Sequence, residues 1–242
     1  GCAEGVCGAC TVLIDGRTAR ACIQKVSRLD GKSVTTLEGL SERERDIYAW
    51  AFGAAGAVQC GFCIPGMVMS AKGLLDVNAS PSAAEIKAAL KGNLCRCTGY
   101  VKIEKAVAMA AEALRDPGFL PPKDPFDRPY ALGERMPRLD AREKTLGTGK
   151  YVEDLKMPGM LYGAALRPRT PRERILEIDT RAAAAHPGVV AVLTAADVPG
   201  ERYIGHIVHD WPVLIAPGEV TRYAGDALAL VLTSFVLLEP LD

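Results

Sequence analysis

The residues able to do chemistry in this 242-residue chain are its eight cysteines, which fall into two groups of four with none left over: Cys2, Cys7, Cys10 and Cys22, then Cys60, Cys63, Cys95 and Cys97. The first group reads C-x4-C-x2-C, with a fourth cysteine after eleven intervening residues. That is the plant-type spacing for a [2Fe-2S] cluster. One tight loop supplies three thiolates, and the fourth must return from a neighbouring strand or turn. Gly1, Gly5 and Gly8 suit such a loop, because glycine lets the backbone wind closely and aim its N–H groups at cluster sulfurs. The second group pairs C-x2-C in QCGFC (59–63) with C-x-C in CRC (95–97), across thirty-one residues of helical pattern. Two helix ends could therefore hold a second cluster.

Two other uses of thiols compete with this one. A disulfide framework suits a small secreted domain, whereas this chain is 49% hydrophobic and shows no secretory segment at Gly1. Structural zinc also takes four thiolates, usually from paired C-x2-C knuckles, and neither group follows that pattern. Thiolates kept for iron favour a reducing compartment, so the expected location is the cytoplasm. The 29 basic and 29 acidic residues cancel, which leaves no charge signal for nucleic acid or an anionic membrane surface. The apolar run 227–232 is too short to span a bilayer.

The elements that must position these cysteines are legible. Apolar and β-branched residues 11–14, the turn Asp15-Gly16 and residues 18–22 predict a hairpin that brings Cys22 back to its loop. Residues 33–37 predict a short strand, and Asp30-Gly31 a turn. Ser41 with Glu44 forms a capping box that opens a helix through Ile47, Trp50 and Ala51. Pro65 sits just inside a second helix with Met67, Val68, Ala71, Leu74 and Leu75 inward. Ser82 with Glu85 opens a third, carrying Ile86, Ala89 and Leu90. Ile103, Val107, Ala110, Ala111 and Leu114 mark a fourth amphipathic helix. Residues 116–137 hold six of the sixteen prolines and read as an extended linker. From Thr145 onward strands alternate with one helical stretch, 180–186, and 188–194 and 226–233 read as buried strands.

In this order and spacing, GCAEGVCGACTV, QCGFCIPGMVMS and GNLCRCTGY resemble the iron-sulfur region of the molybdenum hydroxylases, the xanthine dehydrogenase and aldehyde oxidoreductase family. The resemblance covers residues 1 to about 115 closely. The segment beginning LDAREKTLGTGKYVEDLKMPGMLYGAALRP is similar to the start of the family's large molybdopterin subunit, in its α/β-hammerhead domain. It implies an α+β, multidomain chain: 1–38 a ferredoxin-like β-grasp [2Fe-2S] domain lacking its first hairpin, 39–115 a four-helix [2Fe-2S]-binding domain, 116–139 the linker, and 140–242 a partial hammerhead. The abrupt start at Cys2 and the ending SFVLLEPLD lead us to expect a fragment.

The same resemblance implies roles. Cys60, Cys63, Cys95 and Cys97 would hold the cluster next to the molybdopterin, and Cys2, Cys7, Cys10 and Cys22 the one nearer the external electron acceptor. Gln59 and Cys97 would contact the pterin. Eukaryotic xanthine dehydrogenases place a flavin domain between the iron-sulfur and molybdenum parts, and here only the linker stands there. The layout thus resembles flavin-free aldehyde oxidoreductases and fused bacterial xanthine dehydrogenases, with any FAD on a separate subunit. The implied partners are the remaining molybdopterin-binding domain or subunit, that possible FAD subunit and a second copy in a homo-oligomer.

The family's catalytic glutamate lies beyond Asp242, so no catalytic residue is assigned, and the substrate, purine, aldehyde or other heteroaromatic, stays open. Taken together, the resemblance implies the fused xanthine dehydrogenase type; the alternatives are an aldehyde oxidoreductase rather than a purine hydroxylase, and a stand-alone ferredoxin-like carrier, against which the hammerhead resemblance argues. Among other residues, Arg96 between two ligands either places positive charge near a reduced cluster and raises its potential or is simply solvated. His186, His206 and His209 lack companions for a metal site and read as surface or satisfied histidines. Gly147 and Gly149 lack the third glycine of a dinucleotide site.

Overall fold

The computed structural model describes residues 1–122, 129–134 and 136–234. The chain divides into two compact units, Gly1–Leu155 and Lys156–Asp242, and the final residues of SFVLLEPLD lie outside the described part.

The first unit begins with a small antiparallel sheet in the order β2-β1-β3, made of β1 (Thr11–Ile14), β2 (Arg17–Arg20) and β3 (Val34–Thr35). Asp15 and Gly16 both adopt positive φ, 48° and 76°. A two-residue hairpin of this hand needs that conformation, and Asp-Gly supplies it. β3 is shorter than 33–37 suggests, because Leu37–Gly39 turns into a 3-10 helix and buries Leu37 in the core.

Four helices follow as predicted: α1 (Glu42–Ala55), α2 (Ile64–Leu75), α3 (Ala83–Leu90) and α4 (Val101–Arg115). Both capping boxes form, Ser41 with Glu44 and Ser82 with Glu85. Each cap satisfies amides that the first helical turn leaves unpaired, worth about 1 kcal/mol. α1 ends where Gly56 turns left-handed and the Ala57 amide reaches back to the Phe52 carbonyl. Ile47, Tyr48, Phe52, Met67, Ile103 and Val107 are completely enclosed in one core that also takes in Leu13 and Leu37. Burial of each large apolar side chain stabilises the fold by roughly 1.5–3 kcal/mol. Within α3, Ile86 and Leu90 face that core while Ala89 is only half-buried.

Beyond the proline-rich stretch a fifth helix, α5 (Ala141–Thr145), packs on α1 and α2. Ala141 meets Gly53, Arg142 pairs with Asp46 at 2.5 Å, and Thr145 is fully buried. The sequence reading has no helix here. Five residues are too few to display an apolar period.

The second unit is built on an antiparallel sheet in the order β4-β8-β5, from β4 (Tyr162–Leu166), β5 (Val189–Leu193) and β8 (Ala229–Thr233). A single-turn helix α6 (Arg181–Ala184) precedes β5. A two-stranded ribbon joins β6 (Tyr203–Ile204) to β7 (Trp211–Pro212). β8 lies in the middle and is largely buried. Among the described residues β5 is an edge strand with Val190 exposed, so only one of the two strands expected to be buried is so. Ile175, Ile215 and Leu228 form a small core, and ion pairs supplement it: Arg222 with the enclosed Asp226, and Arg202 with Glu219.

Candidate metal centres

The first quartet is assembled by loop geometry. Glu4, Val6 and Cys7 each point a backbone N–H at the Cys2 sulfur at 3.4 Å. These amides, that of Cys7 foremost, pull the Cys2 thiol down to about 6, which favours the thiolate that a metal needs. Cys10 is at the mouth of the hairpin, where its carbonyl accepts from the Ala21 amide at 3.1 Å. Cys22, in a 3-10 turn just after β2, shares a side-chain hydrogen bond with Cys10. Burial pushes Cys10 up, but its hydrogen bonds with Cys22 outweigh this and hold it below a free thiol. Cys22 rises, chiefly through that shared bond.

The second quartet occupies two turns between helices. Cys60 and Cys63 lie in the α1–α2 connection, with Cys63 at the N-terminus of α2. Cys95 and Cys97 lie in the turn before α4. Cys97 and Cys60 bring their sulfurs to 3.6 Å, and Cys63 shares a hydrogen bond with Cys95. Burial pushes the Cys63 thiol up to about 12. A metal must displace that proton, since a coordinating thiol is deprotonated. Burial likewise raises Cys95, yet the Thr98 hydroxyl at 3.1 Å and nearby amides bring it below its ordinary value.

Tyr100 locks this turn. Its hydroxyl accepts from the Cys95 amide at 2.8 Å and donates to the Asn93 carbonyl at 3.1 Å. Its backbone is held at φ 71°, a conformation costly for a bulky residue.

Cys60 and Cys97 thus meet at their sulfurs, and the other cysteines interact with members of their own quartet: Cys2 with Cys7, Cys10 with Cys22 and Cys63 with Cys95. Among the described residues no three His, Cys, Asp or Glu side chains converge on a single-ion position. A [2Fe-2S] unit asks for two thiolates on each of two irons, and each quartet offers that set. The donors fit the group.

The two quartets are joined. The Leu94 amide, next to Cys95, donates to the Cys7 carbonyl at 2.8 Å. Asn93, 3% exposed, accepts from the Ser70 hydroxyl at 2.7 Å and donates to the Gly8 carbonyl at 3.0 Å. The approach is closest at glycine. A Cβ on Gly8 (φ 72°) would meet the Gly92 carbonyl at 2.3 Å, and one on Gly66 of α2 the Gly8 carbonyl at 2.2 Å. Sequence reasoning missed Asn93, Leu94, Tyr100 and Gly66, although all four stand in or beside the quoted motifs. The partners of Asn93, Leu94 and Gly66 are tens of residues away, whereas Tyr100 closes a local turn onto Cys95 and Asn93 that its phenol alone does not announce.

The remaining sequence candidates sort clearly. Gln59 is exposed, beside Cys60, and Arg96 is exposed as well. His209 faces Glu201 at 3.3 Å with both largely in solvent, and His186 contacts the Pro187 carbonyl. Gly147 and Gly149 pack near Pro65 and against Lys144.

Comparison with known proteins bears on this geometry. Residues 1–47 match the model of a 2Fe-2S iron-sulfur cluster binding domain, 36–108 a [2Fe-2S] binding domain, and 146–234 the α/β hammerhead domain of aldehyde oxidase and xanthine dehydrogenase. The nicotinate dehydrogenase small FeS subunit of Eubacterium barkeri is 49% identical over 113 residues, 46% of this chain and 72% of that subunit.

The chain belongs to the molybdenum hydroxylase family.

Within this family of molybdenum oxidoreductases, the aldehyde oxidoreductase of Megalodesulfovibrio gigas is 38% identical over 252 aligned positions, which cover 96% of this chain and 27% of that protein. A solved structure of aldehyde oxidoreductase from Desulfovibrio gigas superposes with a TM-score of 0.68 at 36% identity, covering 97% of this chain and 28% of the other. The chain therefore spans about a quarter of these molybdenum hydroxylases, and carries the family's two [2Fe-2S]-binding domains followed by hammerhead sequence. No helix among the described residues is long and apolar enough to cross a membrane.

Proposed function

We propose that this chain is the electron-relay portion of a molybdenum hydroxylase of the aldehyde oxidoreductase type, in which two [2Fe-2S] clusters pass electrons from a molybdopterin centre to an external acceptor. Cys2, Cys7, Cys10 and Cys22 hold one cluster, and Cys60, Cys63, Cys95 and Cys97 the other. The observation that carries this reading is the 2.8 Å hydrogen bond from the Leu94 amide to the Cys7 carbonyl. It connects a ligand of the first quartet to the residue beside a ligand of the second, so one hydrogen bond and a few covalent bonds separate the two.

Hydroxylation with water as oxygen donor releases two electrons at the molybdenum, and [2Fe-2S] clusters accept them one at a time. The protein's part is to supply deprotonated sulfurs, to aim amides at them as around Cys2, and to keep the two centres at fixed separation. Gln59 and Cys97 contact the pterin in this reading. Both are exposed and adjacent to ligands of the second quartet, where a further domain or subunit can reach them. The segmentation 1–38, 39–115, 116–139 and 140–242 follows the same reading. So do a separate FAD subunit, a homo-oligomeric enzyme and a cytoplasmic location.

Aldehydes take precedence over purines and other heteroaromatics, since the relative aligned along 96% of this chain is an aldehyde oxidoreductase. Assay of the full-length enzyme on aldehydes, purines and nicotinate decides this point.

The test of the relay is metal analysis. Anaerobically purified protein contains about four irons and four labile sulfides and shows two distinct reduced-state EPR signals. Cys95→Ser removes the signal of the second quartet and leaves the other. Iron-free protein after reconstitution with iron and sulfide, or loss of both signals in Cys95→Ser, defeats the assignment.

A further inference from the structure

Lys144 is the cation that the sequence reading did not single out. Its side chain is 8% exposed, an expensive position for an ammonium group unless something compensates the charge. The slot around it is closely built. A Cβ on Gly61 (φ 86°), between Cys60 and Cys63, would meet the Lys144 stem at 2.6 Å, and one on Gly149 would meet it at 2.9 Å. The ammonium donates to the Cys60 carbonyl at 3.1 Å and lies 4.2 Å from the centre of the Tyr151 ring. Tyr151 donates its own hydroxyl to the same carbonyl at 2.9 Å.

The nearest carboxylate, on Asp140, stands 3.7 Å from the ammonium. It is half in solvent and already taken by Arg138. Carbonyl and ring alone are modest company for a buried charge. Asp140 offsets that charge only in part, and the thiolates of the Cys60–Cys63 loop, whose carbonyl the ammonium holds, would add negative charge beside it once irons are bound. Two ferric irons, two sulfides and four thiolates sum to a dianion, and one added electron makes a trianion. A fixed cation beside the ligand loop stabilises the second state more than the first. Arg96, by contrast, is in solvent, where its field is screened.

We propose that Lys144 is a redox-positioning residue: held in the Gly61–Gly149 slot against the Cys60 carbonyl, its charge raises the reduction potential of the cluster bound by Cys60, Cys63, Cys95 and Cys97. The inference rests on the assignment of that quartet as a cluster site. The step it biases takes up one electron, turns one ferric iron ferrous, and makes or breaks no bond. The electron comes from the reduced molybdenum centre in the enzyme, or from dithionite in a titration. Through Lys144, the segment that follows the proline-rich stretch tunes the iron-sulfur region preceding it.

The experiment is an EPR-monitored redox titration of the full-length holoenzyme and of its Lys144→Met, Lys144→Gln and Tyr151→Phe variants. In the two neutral Lys144 variants the equilibrium constant for reducing the second cluster falls about tenfold, a shift of about 59 mV for one electron, while the first cluster's midpoint stays in place. Tyr151→Phe, which removes a donor to the same carbonyl without changing charge, shifts it much less. An unmoved midpoint in Lys144→Met and Lys144→Gln, an equal shift in Tyr151→Phe, or loss of the second cluster from both neutral variants overturns the inference, the last in favour of a purely structural strap. Absence of the second signal from the unmodified enzyme would instead defeat the cluster assignment itself.

Discussion

Asn93 shows how much one side chain can hold. It accepts from Ser70 on α2 and donates to both the Gly8 carbonyl and the Thr11 hydroxyl, tying the loop of the first quartet to the turn that carries the second. Asn93→Leu keeps the volume and strands the Ser70 hydroxyl among apolar neighbours. Leaving buried polar groups unpaired costs about 1–3 kcal/mol each. The expected loss is therefore about 2–4 kcal/mol, read by urea denaturation of the cluster-loaded protein, with the first cluster's iron released earlier in the titration than the second's. At this scale the two groups of cysteines proposed as ligands were legible, because spacing is written directly along the chain. Asn93 was not, since an asparagine in GNLCRCTGY looks like any turn residue until Gly8 is found beside it.

Among the elements, α2 carries the sharpest conflict between local and tertiary preference. Gly66 lies in its first turns, where helix propensity alone ranks alanine above glycine by about 1 kcal/mol. The Gly8 carbonyl, 2.2 Å from the position of the added methyl, reverses that sign. It is backbone and cannot swing aside. Gly66→Ala is expected to destabilise the protein by about 1–3 kcal/mol, as overpacking does, and calorimetry showing a Tm equal to or above that of the unmodified chain would contradict the close approach. The four main helices were legible because capping boxes, Pro65 and apolar periods are written within a few residues. α5 was not, because burial against α1 and α2, rather than its own pattern, makes it a helix.

At the scale of the whole molecule, the first unit is well packed, and the second has, among its described residues, a much smaller apolar core, in which ion pairs matter correspondingly more. Glu219 is the chief case. The Arg202 guanidinium, at 2.6 Å, outweighs partial burial and, with the Ala216 amide and Tyr203 hydroxyl, holds its carboxyl at about 2. The folded value lies below the unfolded one, so the stabilisation is complete above about pH 4.5 and is lost as pH falls toward 2. At about 1.4 kcal/mol per unit it amounts to on the order of 3 kcal/mol at most. Acid titration in a Trp50→Phe background, where Trp211 is the remaining tryptophan, should show the second unit losing stability across that window. In Glu219→Gln the dependence should flatten, and an unchanged acid limb in that variant would rule the pair out as its source. The order of domains was legible at this scale, through motifs recognisable one by one. The weakness of the second core was not, for alternating strand patterns do not report which strand ends at an edge.

The sequence by itself determined what depends on covalent reach and local periodicity: eight sulfurs in two quartets, four capped helices, a hairpin returning Cys22, and membership in the molybdenum hydroxylases. Tertiary structure alone decided which distant groups meet, placing Leu94 on Cys7, Gly66 under Gly8 and Lys144 behind Cys60. The physical reason is that a motif is fixed by bonds along the chain. A contact between residues 60 and 144 exists only because burying the intervening helices brings their ends together.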